Sequence, residues 1–281
     1  MADFSGKISC DAKLNLTLRI TEKRPSGYHG LCSVFMRVGP VDYLTIREAK
    51  EDNVKVNLSG TPSVPLGRNI LLRTLDRLRE SGVIVPPLEM CLEKTVPPGT
   101  GLGCGSGDAA ALLRFLAQKG AAGEACAPQI GADVPFLLSG EEVALVTGIG
   151  ETMQPLCGGL NLKAAVVIPR WRCGTADMYN RIDEFYRQGW PLDFSRAGDE
   201  AEQILRRLRR HRFCGLLPND FAPALMEDRR EYGELFAAFA AGDALAWGIT
   251  GSGSAAFALW DREKFSGAVL PFSWIENVLT F

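Results

Sequence analysis

The stretch from Pro97 to Ala110 reads PPGTGLGCGSGDAA and places five glycines at alternate positions from 99 to 107. A strand pattern over 88–96 precedes it, and apolar residues at helical spacing over 106–118 follow it. Glycines let backbone N–H groups approach phosphate oxygens, and the start of a helix adds unpaired donors and a partial positive charge. The order of strand, glycine loop and helix therefore predicts a polyphosphate site.

This loop differs from two familiar phosphate loops. No Gly-Lys-Ser/Thr follows it, and neither its spacing nor the strands before it fit a dinucleotide fingerprint. A tight turn that needs glycines is the structural alternative, but five glycines before a well-patterned helix favour phosphate binding. Ser106 would add a hydroxyl donor there, or would face a Mg²⁺ ion.

Upstream of the loop, residues 6–21 alternate in the manner of a strand, with Lys13 and Asn15 on its polar side. Further strand patterns cover 33–37, 43–47 and 54–58, which predicts a mostly antiparallel sheet. An amphipathic helix is predicted over 69–81, with Gly82 as its stop.

Three more segments carry chemically useful side chains. The segment 131-GADVP-135 sets Asp133 among small and apolar residues, where a buried carboxylate needs a partner such as Lys13. A helix cap or a turn is the alternative for this aspartate.

The segment 26-SGYH-29, with Phe35, carries side chains that could stack on a planar ring and hydrogen-bond to it, although an ordinary turn explains the segment as well. The segment 250-TGSGS-254 is a second glycine turn, for which a plain hairpin connection is the alternative.

The second half of the chain has its own pattern of elements. A strand is predicted over 162–168, helices over 178–187 and 200–211, and a strand over 255–259. A composition shift near Cys157 predicts two domains, 1–157 and 158–281. A length of 281 residues suits two packed domains of ordinary size.

Bulk composition excludes several classes of protein. The formal net charge of -2 provides no global field for nucleic acid or an anionic membrane, and no run of about 18 apolar residues would span a bilayer. Two histidines leave no His-rich metal site, and eight scattered cysteines form no close metal or redox pair. We expect reduced thiols, a cytoplasmic protein, and no nucleic-acid or membrane partner.

Taken together and in this order, the segments 12-AKLNL-16, 27-GYH-29, the loop over 99–110, 131-GADVP-135 and 250-TGSG-253 resemble the GHMP small-molecule kinases. The resemblance covers nearly the whole chain. It implies an α+β, two-domain GHMP kinase fold with a ferredoxin-like C-terminal domain, ATP in the glycine loop, and an active site in the inter-domain cleft. The first two segments resemble a branch that phosphorylates a cytidine-diphosphate alcohol in the non-mevalonate route to isoprenoid precursors.

Residue roles follow from the resemblance by matched position. Asp133 would be the catalytic aspartate, with Lys13 as its partner and Mg²⁺ neutralising the β- and γ-phosphates of ATP. The substrate set would comprise Asn15, Tyr28, His29, Phe35, Thr175 and Tyr179, with Tyr28 and His29 at the cytosine. The nucleotide set would comprise Asn69, Lys94, Pro97, Gly99, Gly101, Leu102, Gly103, Gly105, Ser106, Gly107 and Asp108.

The chain departs from the family pattern at a few positions. Asp11 stands where Pro is usual, Cys104 replaces a glycine, and Gly107 stands where a second Ser is usual. The stretch between Asp108 and Asp133 is several residues shorter than usual. Two alternatives stay open: another GHMP kinase acting on a homoserine-like or mevalonate-like alcohol, and a degenerate nucleotide-binding module without catalysis. A monomer or weak homodimer is expected.

Overall fold

A computed structural model describes residues 3–58, 69–265 and 270–281. Two compact units make up the chain, and neither is continuous in sequence. Unit 1 comprises Met1–Lys13, Arg37–Pro98 and Gly103–Glu141, and unit 2 comprises Leu14–Met36, Gly99–Leu102 and Glu142–Phe281. The predicted domain boundary at Cys157 stays a prediction.

The first half of the chain alternates strands and short helices. Its strands are β1 (Gly6–Lys23), β2 (His29–Glu48), β3 (Asn53–Leu58), β4 (Leu88–Lys94), β5 (Val143–Gly148) and β6 (Thr152–Pro155). Its helices are α1 (Ile70–Glu80), α2 (Cys104–Gln118), α3 (Ala127–Ile130) and α4 (Val134–Ser139), with a 3₁₀ turn at Glu124–Cys126. The long strands β1 and β2 contribute residues to both units.

In unit 1, β4 pairs with β2 on one side and with β3 on the other. The β2 pairing is antiparallel and places Tyr43 opposite Glu93, whereas β3 and β4 run parallel. A parallel pair needs a crossover connection, and here that connection contains α1. The predicted antiparallel sheet is thus confirmed for the pairing of β2 with β4 and with β5, and β3 is the exception.

Local sequence signals explain the helices of unit 1. Asn69 caps α1 by accepting a hydrogen bond from the Leu71 N–H at 2.8 Å, and Leu71, Leu75 and Leu78 are buried. The predicted helix at 69–81 is therefore confirmed. Helix α2 ends at Gln118 as predicted but begins at Cys104, two residues early, because Gly103 with φ +67° turns the chain directly into the helix.

Unit 2 carries a second sheet. Its later elements are β7 (Leu162–Pro169), α5 (Thr175–Phe185), α6 (Phe194–Arg209), β8 (Gly215–Leu216), α7 (Ala222–Asp228), α8 (Glu231–Ala241), β9 (Ala246–Ile249), β10 (Ala256–Asp261) and β11 (Ile275–Thr280). The strand order is β11-β7-β10-β9-β8, antiparallel except for β8 with β9. The predicted strands at 162–168 and 255–259 are confirmed as β7 and β10.

Several elements of unit 2 begin earlier than predicted or were not predicted. Helix α6 begins at Phe194 because Asp193 caps it, accepting a hydrogen bond from the Arg196 N–H at 2.9 Å. Strand β9 has four residues, all buried, so it shows no alternation of polar and apolar positions. Within the ranges that the structure describes, no helix is both long and apolar enough to cross a membrane.

Candidate active site

Lys13 and Asp133 form an ion pair within unit 1. Nζ of Lys13 lies 3.8 Å from Oδ2 of Asp133. Lys13 is on β1 and its side chain is 6 % exposed, whereas Asp133 immediately precedes α4 and its side chain is 25 % exposed. Burial lowers the pKa of Lys13, and the nearby Asp133 carboxylate opposes that shift. Lys13 and Asp133 are 120 positions apart in the sequence, and the structure brings them together as the predicted pair.

The pair lies directly against the glycine loop. A Cβ atom added at Gly103 would lie 2.9 Å from Oδ2 of Asp133 and 3.2 Å from Cε of Lys13. Gly103 is the N-cap of α2, and no side chain of the described residues caps that end. The first N–H groups of a helix attract anions through their unpaired hydrogens and the helix dipole. A phosphate at this helix end would therefore be close to Lys13 and Asp133.

Lys94 and Asp108, both of the predicted nucleotide set, take part in a buried ion cluster. Nζ of Lys94 donates hydrogen bonds to Oδ2 of Asp42 at 2.5 Å and to Oδ2 of Asp108 at 2.9 Å. Burial raises the pKa of Asp108 to about 6, against the opposing effect of Lys94. The pKa of Lys94 is raised, because the two carboxylates outweigh its burial. The Lys94 ammonium is thus already engaged by protein carboxylates.

Asp42 was missed by the sequence analysis. It lies on β2 among the buried residues Val41, Leu44 and Ile46, and it is itself 1 % exposed. A carboxylate inside an apolar strand pattern signals a buried charge that requires a partner. That signal was present in the sequence, but it does not identify Lys94 as the partner.

The remaining nucleotide-set residues of unit 1 have varied surroundings. Asn69 uses its side-chain oxygen to cap α1. Ser106 is partly exposed on the first turn of α2, and Gly107 is buried against the backbone of Asp11. The other members in this unit are Pro97, Gly103 and Gly105.

In unit 2, the second glycine turn binds to the first part of the glycine loop. The Ser254 N–H donates to the Gly99 carbonyl at 3.2 Å, and the Ala255 N–H donates to the Thr100 carbonyl at 3.0 Å. The Thr250 hydroxyl lies 3.3 Å from the Gly101 carbonyl. The turn at 250–254 therefore supports Gly99 and Gly101 directly, and Leu102, the third nucleotide-set residue of unit 2, is buried beside them in the chain.

Asn15 is held by the same turn. Its backbone N–H donates to the Thr250 hydroxyl at 3.0 Å, and its side-chain amide donates to the Ser33 hydroxyl at 2.9 Å. Asn15 is buried, at 3 % exposure. These contacts fix its orientation on β1.

His29 forms a cluster with residues of α5 and the segment that follows it. Its Nε2 lies 2.7 Å from Oδ1 of Asp183, and Lys23 pairs with the other carboxylate oxygen. The pKa of Asp183 is lowered, because hydrogen bonds from Lys23 and His29 outweigh partial burial. The Tyr179 ring stacks on His29 with centroids 4.8 Å apart, and Trp190 meets it edge-on at 5.6 Å.

His29 and Tyr179 belong to the predicted substrate set, whereas Asp183 and Trp190 do not. Tyr179 and Asp183 are four residues apart on α5, so they share one helix face, which is the signal that would have found Asp183. Tyr28 is 63 % exposed beside this cluster, whereas Phe35 is 2 % exposed on β2. Thr175 begins α5, and its hydroxyl lies 3.3 Å from that of Ser252.

Comparisons with known proteins agree with these observations. The family model for the GHMP kinases N terminal domain matches residues 69–140, which contain the helix α1, the glycine loop and Asp133. Among curated proteins, a 4-diphosphocytidyl-2-C-methyl-D-erythritol kinase of Salinibacter ruber is 31% identical over 271 residues, covering 92% of this chain and 91% of the relative. The protein of the same name in Chlorobaculum tepidum is 33% identical, covering 93% and 90%.

Solved structures give the same result. A crystal structure of 4-(cytidine 5'-diphospho)-2C-methyl-D-erythritol kinase has a TM-score of 0.72 and 29% identity, covering 90% of each chain. Homoserine kinase from Cytophaga hutchinsonii has a TM-score of 0.61 at 18% identity, covering 94% and 89%, and shares the fold alone.

The α+β fold with two sheets, the glycine loop and the matched N-terminal domain define a GHMP kinase, a class of phosphotransferase. Within that class, the chain belongs to the 4-diphosphocytidyl-2-C-methyl-D-erythritol kinase family.

Proposed function

We propose that this kinase transfers the γ-phosphoryl group of ATP to the 2-hydroxyl of 4-diphosphocytidyl-2-C-methyl-D-erythritol, a step of the non-mevalonate isoprenoid route. The observation that carries the proposal is the Lys13–Asp133 pair at 3.8 Å, set against Gly103 at the start of α2. A carboxylate and an ammonium therefore lie beside the start of a helix, which supports a role for this pair in phosphoryl transfer. The substrate is the one in the names of the relatives.

Asp133 would orient the acceptor hydroxyl and take its proton. As the bond from the hydroxyl oxygen to the γ-phosphorus forms, the bond from that phosphorus to the ADP oxygen breaks, and the proton moves to the Asp133 carboxylate. Phosphoryl transfer through a loose transition state depends on placement and charge more than on strong basicity, so an aspartate suffices. Lys13 would stabilise the negative charge that develops on the hydroxyl oxygen.

Mg²⁺ is part of the proposal. In the described residues, no group of three or more His, Cys, Asp or Glu side chains is arranged to hold a metal. Mg²⁺ in kinases is commonly held by substrate phosphates and water with few protein ligands, and the Ser106 hydroxyl on α2 fits such a role. When bound with ATP, the ion would neutralise the β- and γ-phosphates.

Unit 2 would supply the contacts to the substrate. We propose that Tyr28 and His29 meet the cytosine with Tyr179 and Thr175 nearby, and that Asn15 orients the acceptor alcohol. The firm anchoring of Asn15 by Thr250 and Ser33, and of His29 by Asp183, supports roles that need fixed side chains. Phe35 would contribute from its buried position on β2.

We further propose that the protein works in the cytoplasm as a monomer or weak homodimer, without nucleic-acid or membrane partners. The eight cysteines, all in the described ranges, are free thiols, which suits a reducing compartment.

The test is a coupled ADP-release assay with ATP, Mg²⁺ and the cytidyl alcohol, comparing wild type with Asp133→Asn. The exposed Asp76→Asn on α1 is the matched control. We expect release that requires the alcohol, a loss of on the order of 10²- to 10⁴-fold in kcat for Asp133→Asn with ATP affinity nearly unchanged, and wild-type rates for the control.

Parallel assays with homoserine and mevalonate separate the alternatives. Turnover of one of these alcohols but not of the cytidyl alcohol would indicate another GHMP kinase. ATP binding without turnover of any alcohol would indicate a degenerate nucleotide-binding module.

A further inference from the structure

Lys94 links the two ends of the glycine loop, and the Asp42 carboxylate holds both Lys94 and the residue that follows it. Oδ1 of Asp42 accepts a hydrogen bond from the Thr95 N–H at 2.7 Å, and Oδ2 accepts one from Nζ of Lys94 at 2.5 Å. Lys94 and Thr95 stand where β4 enters the loop. The same Nζ donates to Oδ2 of Asp108 on α2, where the loop has ended.

We propose that Asp42 is a positioning residue that fixes the two ends of the glycine loop and thereby sets the affinity for ATP. This inference rests on the proposed binding of ATP by the loop. Asp42 contacts the entrance of the loop directly and its exit through Lys94 and Asp108. A change at Asp42 therefore alters the distance between the strand end and the helix start that the loop must span.

Energetics support a positioning role over a purely stabilising one. Asp42 is 1 % exposed and Asp108 is 2 % exposed, and the Lys94 side chain is 11 % exposed. Removing such charges from water costs several kcal/mol per ion, and a well-packed apolar core is often as stable as a buried ion pair. Two carboxylates around one ammonium also leave an excess negative charge. An apolar core would not fix the positions of particular residues. The three hydrogen bonds of this cluster have defined directions and therefore hold Lys94, Thr95 and Asp108 in fixed positions relative to Asp42.

Lys94 itself has a revised role under this proposal. The resemblance assigned it to the nucleotide set, and its ammonium is hydrogen-bonded to both carboxylates of the cluster. It acts on the nucleotide through the position of the loop and not as a direct phosphate ligand.

The same strand provides a matched control at its other end. Asp52 accepts a hydrogen bond from the Leu88 N–H at 2.8 Å and pairs with the Arg79 guanidinium. Leu88 is the first residue of β4, so Asp52 anchors the start of the strand as Asp42 anchors its end. Both carboxylates combine one backbone N–H with one cationic side chain, but only Asp42 is tied to the glycine loop.

The experiment compares Asp42→Asn with Asp52→Asn in the full chain. ATP affinity is measured by calorimetric titration without the alcohol, and steady-state kinetics give kcat and both KM values. For Asp42→Asn we expect the Kd and KM for ATP to rise at least tenfold, the KM for the alcohol to stay within twofold, and kcat to stay within threefold. For Asp52→Asn we expect a lower melting temperature with unchanged ATP affinity.

Two results would overturn the proposal. One is an Asp42→Asn protein that loses stability as Asp52→Asn does but keeps wild-type affinity for ATP. The other is equal weakening of ATP affinity by both variants. If Asp42→Asn does not fold, Asp42→Glu retains the charge while displacing the carboxylate by one methylene, and wild-type ATP affinity in that variant would refute the proposal.

The titration also separates this inference from the proposed function. A wild type that binds ATP but does not phosphorylate the cytidyl alcohol would contradict the proposed substrate and leave the role of Asp42 measurable. A wild type that does not bind ATP would refute both.

Discussion

The Lys13 ammonium and the Asp133 carboxylate lie 3.8 Å apart but differ in exposure, with side chains 6 % and 25 % exposed. The cation is shielded from water while the carboxylate stays accessible. The exposure of Asp133 allows its carboxylate to reach a substrate hydroxyl. The burial of Lys13 strengthens the electrostatic effect of its ammonium on that hydroxyl.

This difference predicts an alkaline limit to activity. Burial lowers the pKa of Lys13 from 10.5, so the ammonium loses its proton at a lower pH than an exposed lysine does. Below that pKa the cation is present, and above it the charge is lost. We expect kcat/KM to fall on the alkaline side with a midpoint below 10.5, measured while circular dichroism confirms that the fold persists. Activity constant up to pH 10.5 would contradict this role of Lys13.

Two glycines of α2 should differ in how far alanine destabilises the protein. A Cβ atom at Gly107 would lie 1.8 Å from the Asp11 carbonyl oxygen, whereas the nearest atom to one at Gly105 is Cγ2 of Ile70 at 3.9 Å. We expect Gly107→Ala to reduce the free energy of unfolding by about 1–3 kcal/mol, as overpacking does, because the nearest atom is backbone. Gly105→Ala should change it by less than about 1 kcal/mol. Urea unfolding measures both, and equal effects would refute the steric argument.

The same contact links two departures from the family pattern. The resemblance implies a serine at position 107 and a proline at position 11, where this chain has Gly107 and Asp11, and in the structure these two positions touch. A serine at 107 does not fit this backbone arrangement of β1.

Asp108 should make stability depend on pH. Its pKa in the folded protein is raised from 3.8 to about 6, mainly by burial, so the folded state holds this proton more tightly than the unfolded state. The resulting contribution to stability is complete below pH 3.8 and is lost as the pH rises through about 6. The difference corresponds to on the order of 3 kcal/mol.

The variant Asp108→Asn removes this titration with little change in volume. We expect the free energy of unfolding, measured by urea titration between pH 4 and 7, to decline less with rising pH in the variant than in wild type. The exposed Asp76→Asn is the control and should retain the wild-type slope. Identical slopes for Asp108→Asn and wild type would show that Asp108 does not titrate in this range.

Asp183 should affect the alcohol substrate and not the nucleotide. Its carboxylate accepts a hydrogen bond from Nε2 of His29 at 2.7 Å and thereby fixes the ring that we propose to meet the cytosine. For Asp183→Ala we expect the KM for the cytidyl alcohol to rise about tenfold, at the scale of a lost charged hydrogen bond, with the KM for ATP unchanged. Glu184→Ala, an exposed neighbour on α5, should behave as wild type. A parallel rise in both KM values would argue against this role.

Features readable from short segments were predicted well. The glycine loop followed by α2, the capped helix α1 and the strand β1 each depend on neighbours within a few positions, where periodicity and glycine content carry the information. The polar side of β1 is buried as well, because other elements cover Lys13, Asn15 and Thr17. Helix α8 was not predicted although its buried residues, Tyr232, Leu235, Phe236 and Phe239, have helical spacing, because the alanines on its other faces weaken the contrast between apolar and polar positions. Strand β9 is too short and too fully buried to alternate.

The sequence by itself predicted a polyphosphate site, because five glycines before a patterned helix favour phosphate binding, and the ordered set of motifs resembling the GHMP kinases supplied the class of chemistry. Only the tertiary structure decided which partners meet. Asp42 reaches Lys94 across 52 positions, His29 reaches Asp183 across 154, and Asn15 reaches Thr250 across 235. A charged or polar side chain signals that it needs a partner when buried, but the packing of distant strands and helices determines which residue satisfies it.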